Sequence, residues 1–180
     1  ELWNELAPTL SPSAWSSRRS AFSDPKLASV SEKWDPDVCL RAELHRRQAL
    51  IEIDVIVALE FGLSLDQLIE LYEIYFPVGQ KKEKNTYYDS NGAIAWISAK
   101  GTNNVGLLDP SGKKWSRGMW QELLQSKTLE VQSQFADDTR PGGPHLITRH
   151  FAGPFTQCDR IEDYRRAWVH FERLKSEEAA

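Results

Sequence analysis

The sequence of 180 residues predicts an α+β fold, and three observations carry that expectation. Helical start and stop signals bracket the stretch from Asp35 to Pro77, short alternating segments around turn sequences follow it, and an amphipathic helical pattern closes the chain. The expected architecture is a helical N-terminal half with a long buried helix and a helical hairpin, then small antiparallel β-hairpins, then a C-terminal amphipathic helix. Residues 1–34 carry Trp3, Pro8, Pro12 and Trp15 and then a Ser-rich run to Trp34, which predicts an irregular lead-in that packs through its tryptophans. Residues 35–180 are expected to form a single α+β domain.

Each element has a local reason. Asp35-Pro36-Asp37 places an N-cap acid before a proline at the first helical position, and the pattern runs on to Phe61, with Gly62 as the stop. At about 1.5 Å per residue the predicted rod is roughly 39 Å long. Its first half is polar, with Arg41, Glu43, His45, Arg46 and Arg47. From Ala49 to Phe61 it is apolar nearly all round apart from Glu52 and Asp54, which predicts the buried axis of the fold. Ser64-Leu65-Asp66-Gln67 is a capping box that opens a second helix through Leu68, Ile69, Leu71, Tyr72 and Tyr75, and Pro77 ends it. With only Gly62 and Leu63 between them, the two helices make a tight hairpin.

Beyond Pro77 the pattern changes to strand, turn and strand: Tyr87-Tyr88, Asp89-Ser90-Asn91-Gly92, then Ala93 to Ile97. A loop at 100–105 and a turn at Asp109-Pro110-Ser111-Gly112 lead to a short amphipathic helix with Trp115, Met119, Trp120, Leu123 and Leu124. Leu129, Val131, Ser133 and Phe135 alternate along a further strand, and Arg140-Pro141-Gly142-Gly143-Pro144 turns it into a return strand from His145 to Phe151. The last helix opens at a second capping box, Asp159 with Glu162, and aligns Ile161, Tyr164, Trp168, Phe171 and Leu174 on one face.

The formal charge of −4 argues against nucleic acid only until it is located. Between Gly79 and Gly118, Lys81, Lys82, Lys84, Lys100, Lys113, Lys114 and Arg117 stand against Glu83, Asp89 and Asp109, a net charge of +4, so the rest of the chain sums to −8. Interleaved with Tyr87, Tyr88, Trp96 and Trp115, these cations have the composition of a surface that holds a phosphate backbone, with the two tyrosines as candidate stacking platforms. The alternative is an ordinary solvated loop surface.

Candidate chemistry elsewhere has a plainer structural reading. Asp159 and Glu162 could hold a divalent metal for nuclease chemistry, but their spacing is that of N-cap and N3 carboxylates. His145 and His150 lie five apart in a strand and so face opposite sides, while His45 and His170 lack a ligand at i+3 or i+4. Cys39 and Cys158 suggest neither a disulfide framework nor a metal knuckle, and Cys158 reads as an inert thiol. Asp54, within the apolar half of the long helix, needs a salt bridge or a cap to offset its burial. There is no P-loop, Gly-rich dinucleotide turn or HExxH, so the sequence offers neither catalytic nor metal-ligating residues. No stretch approaches the roughly 20 apolar residues that span a bilayer, and without a signal-peptide pattern the cytoplasm is the expected compartment.

Several motifs taken together resemble a known group of proteins. Arg41-Ala42-Glu43-Leu44, then Ile53-Asp54, Phe61 to Leu68 and Phe76-Pro77-Val78, are similar to the C-terminal region of large bacterial adenine-specific DNA methyltransferases, those of Type IIG restriction-modification and of BREX- and DISARM-type phage defence. Tyr88 to Gly92, Lys100-Gly101 with Val105-Gly106-Leu107, Pro141 to Pro144, Pro154-Phe155 and the run from Cys158 to Trp168 extend the resemblance over residues 36–175. Ile161 departs from it where an acid is expected, and His45-Arg46-Arg47 places Asp54 later than usual. The resemblance implies that the Asn-Pro-Pro-aromatic motif and the S-adenosylmethionine loop lie upstream. This chain would then be a non-catalytic tail that helps to recognise or clamp double-stranded DNA, alongside its methyltransferase domain and any defence-system subunits. The first residue is Glu1 and the single methionine is Met119, in keeping with an expected fragment of a longer protein. The rival expectation is a structural module docked through its tryptophans on the methylase core or on a partner subunit.

Overall fold

The computed structural model describes residues 21–22, 40–97, 115–126, 130–137, 141–143 and 145–178. Apart from Ala21 and Phe22, the lead-in lies outside them, as does the Asp35-Pro36 helix signal. The described residues belong to an α+β fold in two compact units, one holding the residues up to Tyr75 and those from Arg160 onward, the other Phe76–Asp159.

Among the described residues the first unit holds three helices: α1 (Glu43–Glu60), α2 (Leu65–Tyr75) and α5 (Arg160–Glu178). α1 has 18 residues rather than the expected rod, and Ala42 stands at its N-cap without a side-chain bond. Ahead of it the Leu40 carbonyl accepts Arg46 Nε at 2.6 Å, and neither Leu40 nor Arg41 is helical. Its C-terminus closes as a Schellman motif: Leu63 N–H donates to Ala58 at 2.9 Å and Gly62 N–H to Leu59 at 3.1 Å. Gly62 has a φ of +71°, a conformation that disfavours a side chain. The capping box follows at once, with Gln67 N–H donating to Ser64 Oγ at 3.2 Å and Ser64 N–H to Gln67 Oε1 at 2.8 Å. These caps fix the α1–α2 hairpin.

Only one face of α1 is buried. Ile51, Val55 and Ala58 meet Leu68 and Tyr72 of α2 and Tyr164, Ala167 and Trp168 of α5, with Ala21 joining the same core. The expected buried axis is buried on this stripe alone: Leu50, Ile53, Ile56 and Val57 are exposed.

Polar residues extend this stripe. Arg47, buried, donates to the Asp163 carboxylate in the first turn of α5. The buried Glu52 carboxylate accepts the Ala21 N–H at 2.6 Å, which ties Ala21 to the middle of α1. Asp54 accepts from Tyr164 Oη at 2.8 Å and from Arg160 Nη1 at 3.3 Å, and the Arg160 guanidinium lies over the rings of Tyr72 and Tyr164 at 5.3 and 5.7 Å. The acid that stood out in the sequence is therefore half of an ion pair.

The second unit contains α3 (Pro77–Glu83), β1 (Thr86–Tyr88), β2 (Ile94–Ile97), α4 (Arg117–Gln125), β3 (Glu130–Asp137) and β4 (His145–Ala152). β1 and β2 form one antiparallel hairpin and β3 and β4 another, from Glu130 opposite Ala152 to Asp137 opposite His145. The Tyr88–Thr156 bridge and the Ser90 N–H donation to Ala152 connect the two. Ser116 caps α4 by accepting Met119 N–H at 3.2 Å. Ala95, Trp120, Val131 and Phe151 form the core, with Tyr87, Trp115, Leu123, Leu124 and Phe155 against it.

Burial pushes the Tyr164 hydroxyl up to about 12, opposed by its hydrogen bond from Arg160 and reinforced by Asp54. A raised folded-state value means that the neutral phenol stabilises the fold fully below about pH 10, and that this contribution is lost as pH rises towards 12. Urea unfolding of the wild type and Tyr164→Phe should therefore show a wild-type advantage that is constant to about pH 10 and shrinks above it. An advantage that holds level or grows between those values would contradict this assignment.

Candidate nucleic-acid interface

The basic segment begins on a helix that the sequence reading did not place. Pro77 ends α2 and also occupies the first position of α3, where its fixed φ is pre-organised and its missing N–H is not needed. Lys81 and Lys82 lie in the last turn of this short helix and Lys84 is its C-cap. The three lysines are thus on a helix end rather than on a turn or hairpin.

Their backbone is closely held. Asn85 Nδ2 donates to the Lys81 carbonyl at 2.6 Å, Thr86 Oγ1 to that of Lys82 at 2.7 Å, and Gln157 Nε2 to that of Lys84 at 2.7 Å. Lys84 N–H returns to Gln80 at 3.0 Å. Thr86 is buried and begins β1, so the helix end is continuous with the core of its unit. All three lysine side chains are exposed. The result is a hydrogen-bonded base with exposed cationic side chains, and helix C-terminal carbonyls also favour such cations.

The acid nearest this segment in the following turn is directed inward. Asp89 is 3% exposed, and its carboxylate accepts the N–H groups of Asn91 at 3.0 Å, Ala93 at 2.8 Å and Ala152 at 3.4 Å. Gly92, at φ +78°, lets the turn close through its N–H to the Asp89 carbonyl. One carboxylate therefore shapes the β1–β2 turn and ties it to the end of β4.

The predicted aromatic partners lie mostly in the core. Tyr88 is buried, and Tyr87 is half-buried with its ring edge-on to Trp120 at 5.5 Å, which in turn meets Phe155 at 5.2 Å. Arg117 is exposed as the first residue of α4. Lys100, Lys113 and Lys114 lie outside the described residues. The structure thus groups Lys81, Lys82 and Lys84 on one helix end, with Tyr87 and Tyr88 beneath them in chain order. Asn85, Thr86 and Gln157 position that end and were not singled out from sequence. Asn and Thr after a lysine-rich helix are a legible capping signal, whereas Gln157, 73 residues away, gives none.

The other candidates take local partners. Asp159 is exposed immediately before α5, and Glu162 lies in its first turn, 3.4 Å from Arg165. His145 and His150 are exposed on β4, the His170 ring contacts Phe171, and Cys158 is half-buried. Among the described residues no three His, Cys, Asp or Glu side chains gather as a metal site, and no helix is long and apolar enough to cross a membrane.

Compared with known protein families, with curated proteins and with solved structures, the chain matches none of them.

The turn geometry gives a direct expectation. Asp89→Ala removes the acceptor of three backbone N–H groups and should destabilise the protein by about 2–3 kcal/mol in thermal unfolding followed by tryptophan fluorescence. Asp89→Asn, which keeps Oδ1, should fall between the two. A loss for Asp89→Ala within about 0.5 kcal/mol, the range of an ordinary surface change, would contradict the anchoring role.

Proposed function

We propose that this chain is a non-catalytic DNA-contact or accessory domain of an adenine-specific DNA methyltransferase in a cytoplasmic restriction-modification or phage-defence system. Its ligand in this reading is double-stranded DNA. The methylation chemistry and S-adenosylmethionine belong to an upstream domain, and no residue of this chain is assigned to the cofactor. What supports the reading is the exposed trio Lys81, Lys82 and Lys84 on a backbone fixed by Asn85, Thr86 and Gln157, with the Asp89 carboxylate turned inward.

The chemistry of such a contact is electrostatic. Ammonium groups at a helix end neutralise phosphates as point charges and release condensed counterions, which sets position on the duplex without reading sequence. The burial of Tyr88, and of much of Tyr87, leaves base stacking out of this part of the contact. Arg117, exposed at the start of α4, is a further cation of this unit.

Binding of the 180-residue chain to a duplex oligonucleotide at several salt concentrations tests this. The wild type should bind more weakly as salt rises, and Lys81→Gln/Lys82→Gln/Lys84→Gln should flatten the log–log salt slope by about 3, close to one per lysine. Because all three side chains are exposed, far-UV circular dichroism should not change. Absence of binding at low salt, or a slope indifferent to the three substitutions, would sink the proposal.

A further inference from the structure

The outward side of α1 takes no part in the core of its unit. Leu50, Ile53, Ile56 and Val57 are each between 42% and 56% exposed, and at about 100° per residue they lie across the helix from Ile51, Val55 and Ala58. The patch has charged ends. Arg46, one turn before Leu50, and Glu60, one turn after Ile56, are both exposed, and positions 46, 49, 53, 56 and 60 follow the spacing of a helix–helix seam.

The order of cation, apolar middle and anion along one stripe complements itself when the helix is reversed. A two-fold axis passing by Ile53 sets Arg46 of one copy against Glu60 of the other at both ends. It also sets Leu50 against Ile56, and Ile53 against Ile53. Parallel pairing would instead oppose Arg46 to Arg46 and Glu60 to Glu60, an arrangement that like charges disfavour. Glu60 has Lys175 at 3.5 Å, but both side chains are more than half exposed, and such a pair yields readily.

We propose that this face of α1 docks a second copy of the chain, α1 antiparallel to α1 about a two-fold axis at Ile53, with two Arg46–Glu60 ion pairs closing the ends of an apolar seam. The contact is isologous, so it closes at a dimer. This inference is independent of the DNA reading, which concerns the other unit.

Sedimentation equilibrium of the full 180-residue chain across micromolar concentrations tests it. The wild type should dimerise. Ile53→Glu places two carboxylates opposite each other and should weaken the dimer by about tenfold or more. Arg46→Glu should also weaken it, whereas Arg46→Glu/Glu60→Arg should restore wild-type affinity by exchanging the ends of both pairs. Circular dichroism checks that these surface variants fold. A monomer at every concentration, a dimer indifferent to Ile53→Glu, or a double variant no better than Arg46→Glu alone would each overturn the proposal. So would a monomer destabilised by Ile53→Glu, since the face would then be covered by another part of the same chain.

Discussion

The first unit depends on two helices brought together from distant parts of the chain. Arg47 on α1 holds Asp163 on α5 across a sequence separation of 116 residues, and Asp54 holds Arg160 and Tyr164 at separations of 106 and 110. In the same core as these polar contacts are Ile51, Val55, Ala58, Ala167 and Trp168, so ion pairs and apolar packing share the facing sides of the two helices. A buried ion pair is a poor source of net stability but a strong source of specificity, because misalignment leaves a charge unpaired in a low-dielectric setting. Here the register of α1 on α5 is set by which arginine meets which aspartate.

That closure explains how the chain accommodates its second unit. Phe76–Asp159 leaves the first unit after α2 and returns at α5, so it is a long loop closed by the α1–α5 contact. Loop-closure entropy rises only logarithmically with length, and an insertion with its own core adds little to that cost. Trp120, Phe151, Val131 and Ala95 supply such a core. The Tyr88–Thr156 bridge and the Asp89 carboxylate join its two hairpins.

Much of this was legible in the sequence, for physical reasons that vary by element. Gly62 and the Ser64–Gln67 box are local signals whose hydrogen bonds form within a few residues, and the α1–α2 hairpin follows them closely. Asp89-Ser90-Asn91-Gly92 likewise specified its turn. The burial of Glu52 by the Ala21 N–H, of Arg47 by Asp163 and of the Lys84 carbonyl contact by Gln157 could not be read, because each partner is tens of residues away and neither member is unusual alone. Ala49 to Phe61 misled in the opposite sense: a run apolar nearly all round suggests burial on more than one side, yet Leu50, Ile53, Ile56 and Val57 are exposed and α1 is buried along one stripe. α3 is not legible ahead of the structure because Pro77, which ends α2, equally starts a helix at its first position.

The most direct test of the α1–α5 closure is a double-mutant cycle on Arg47 and Asp163, whose side chains are 7% and 21% exposed. Chemical unfolding of Arg47→Ala, Asp163→Ala and the double variant should show Asp163→Ala costing about 3–5 kcal/mol, because it leaves the Arg47 charge buried, and Arg47→Ala costing less, because Asp163 is only part-buried. The double variant should cost less than their sum, by a coupling of about 2 kcal/mol or more. Additive losses, or single changes within about 0.5 kcal/mol of the wild type, would contradict a closure that depends on this pair.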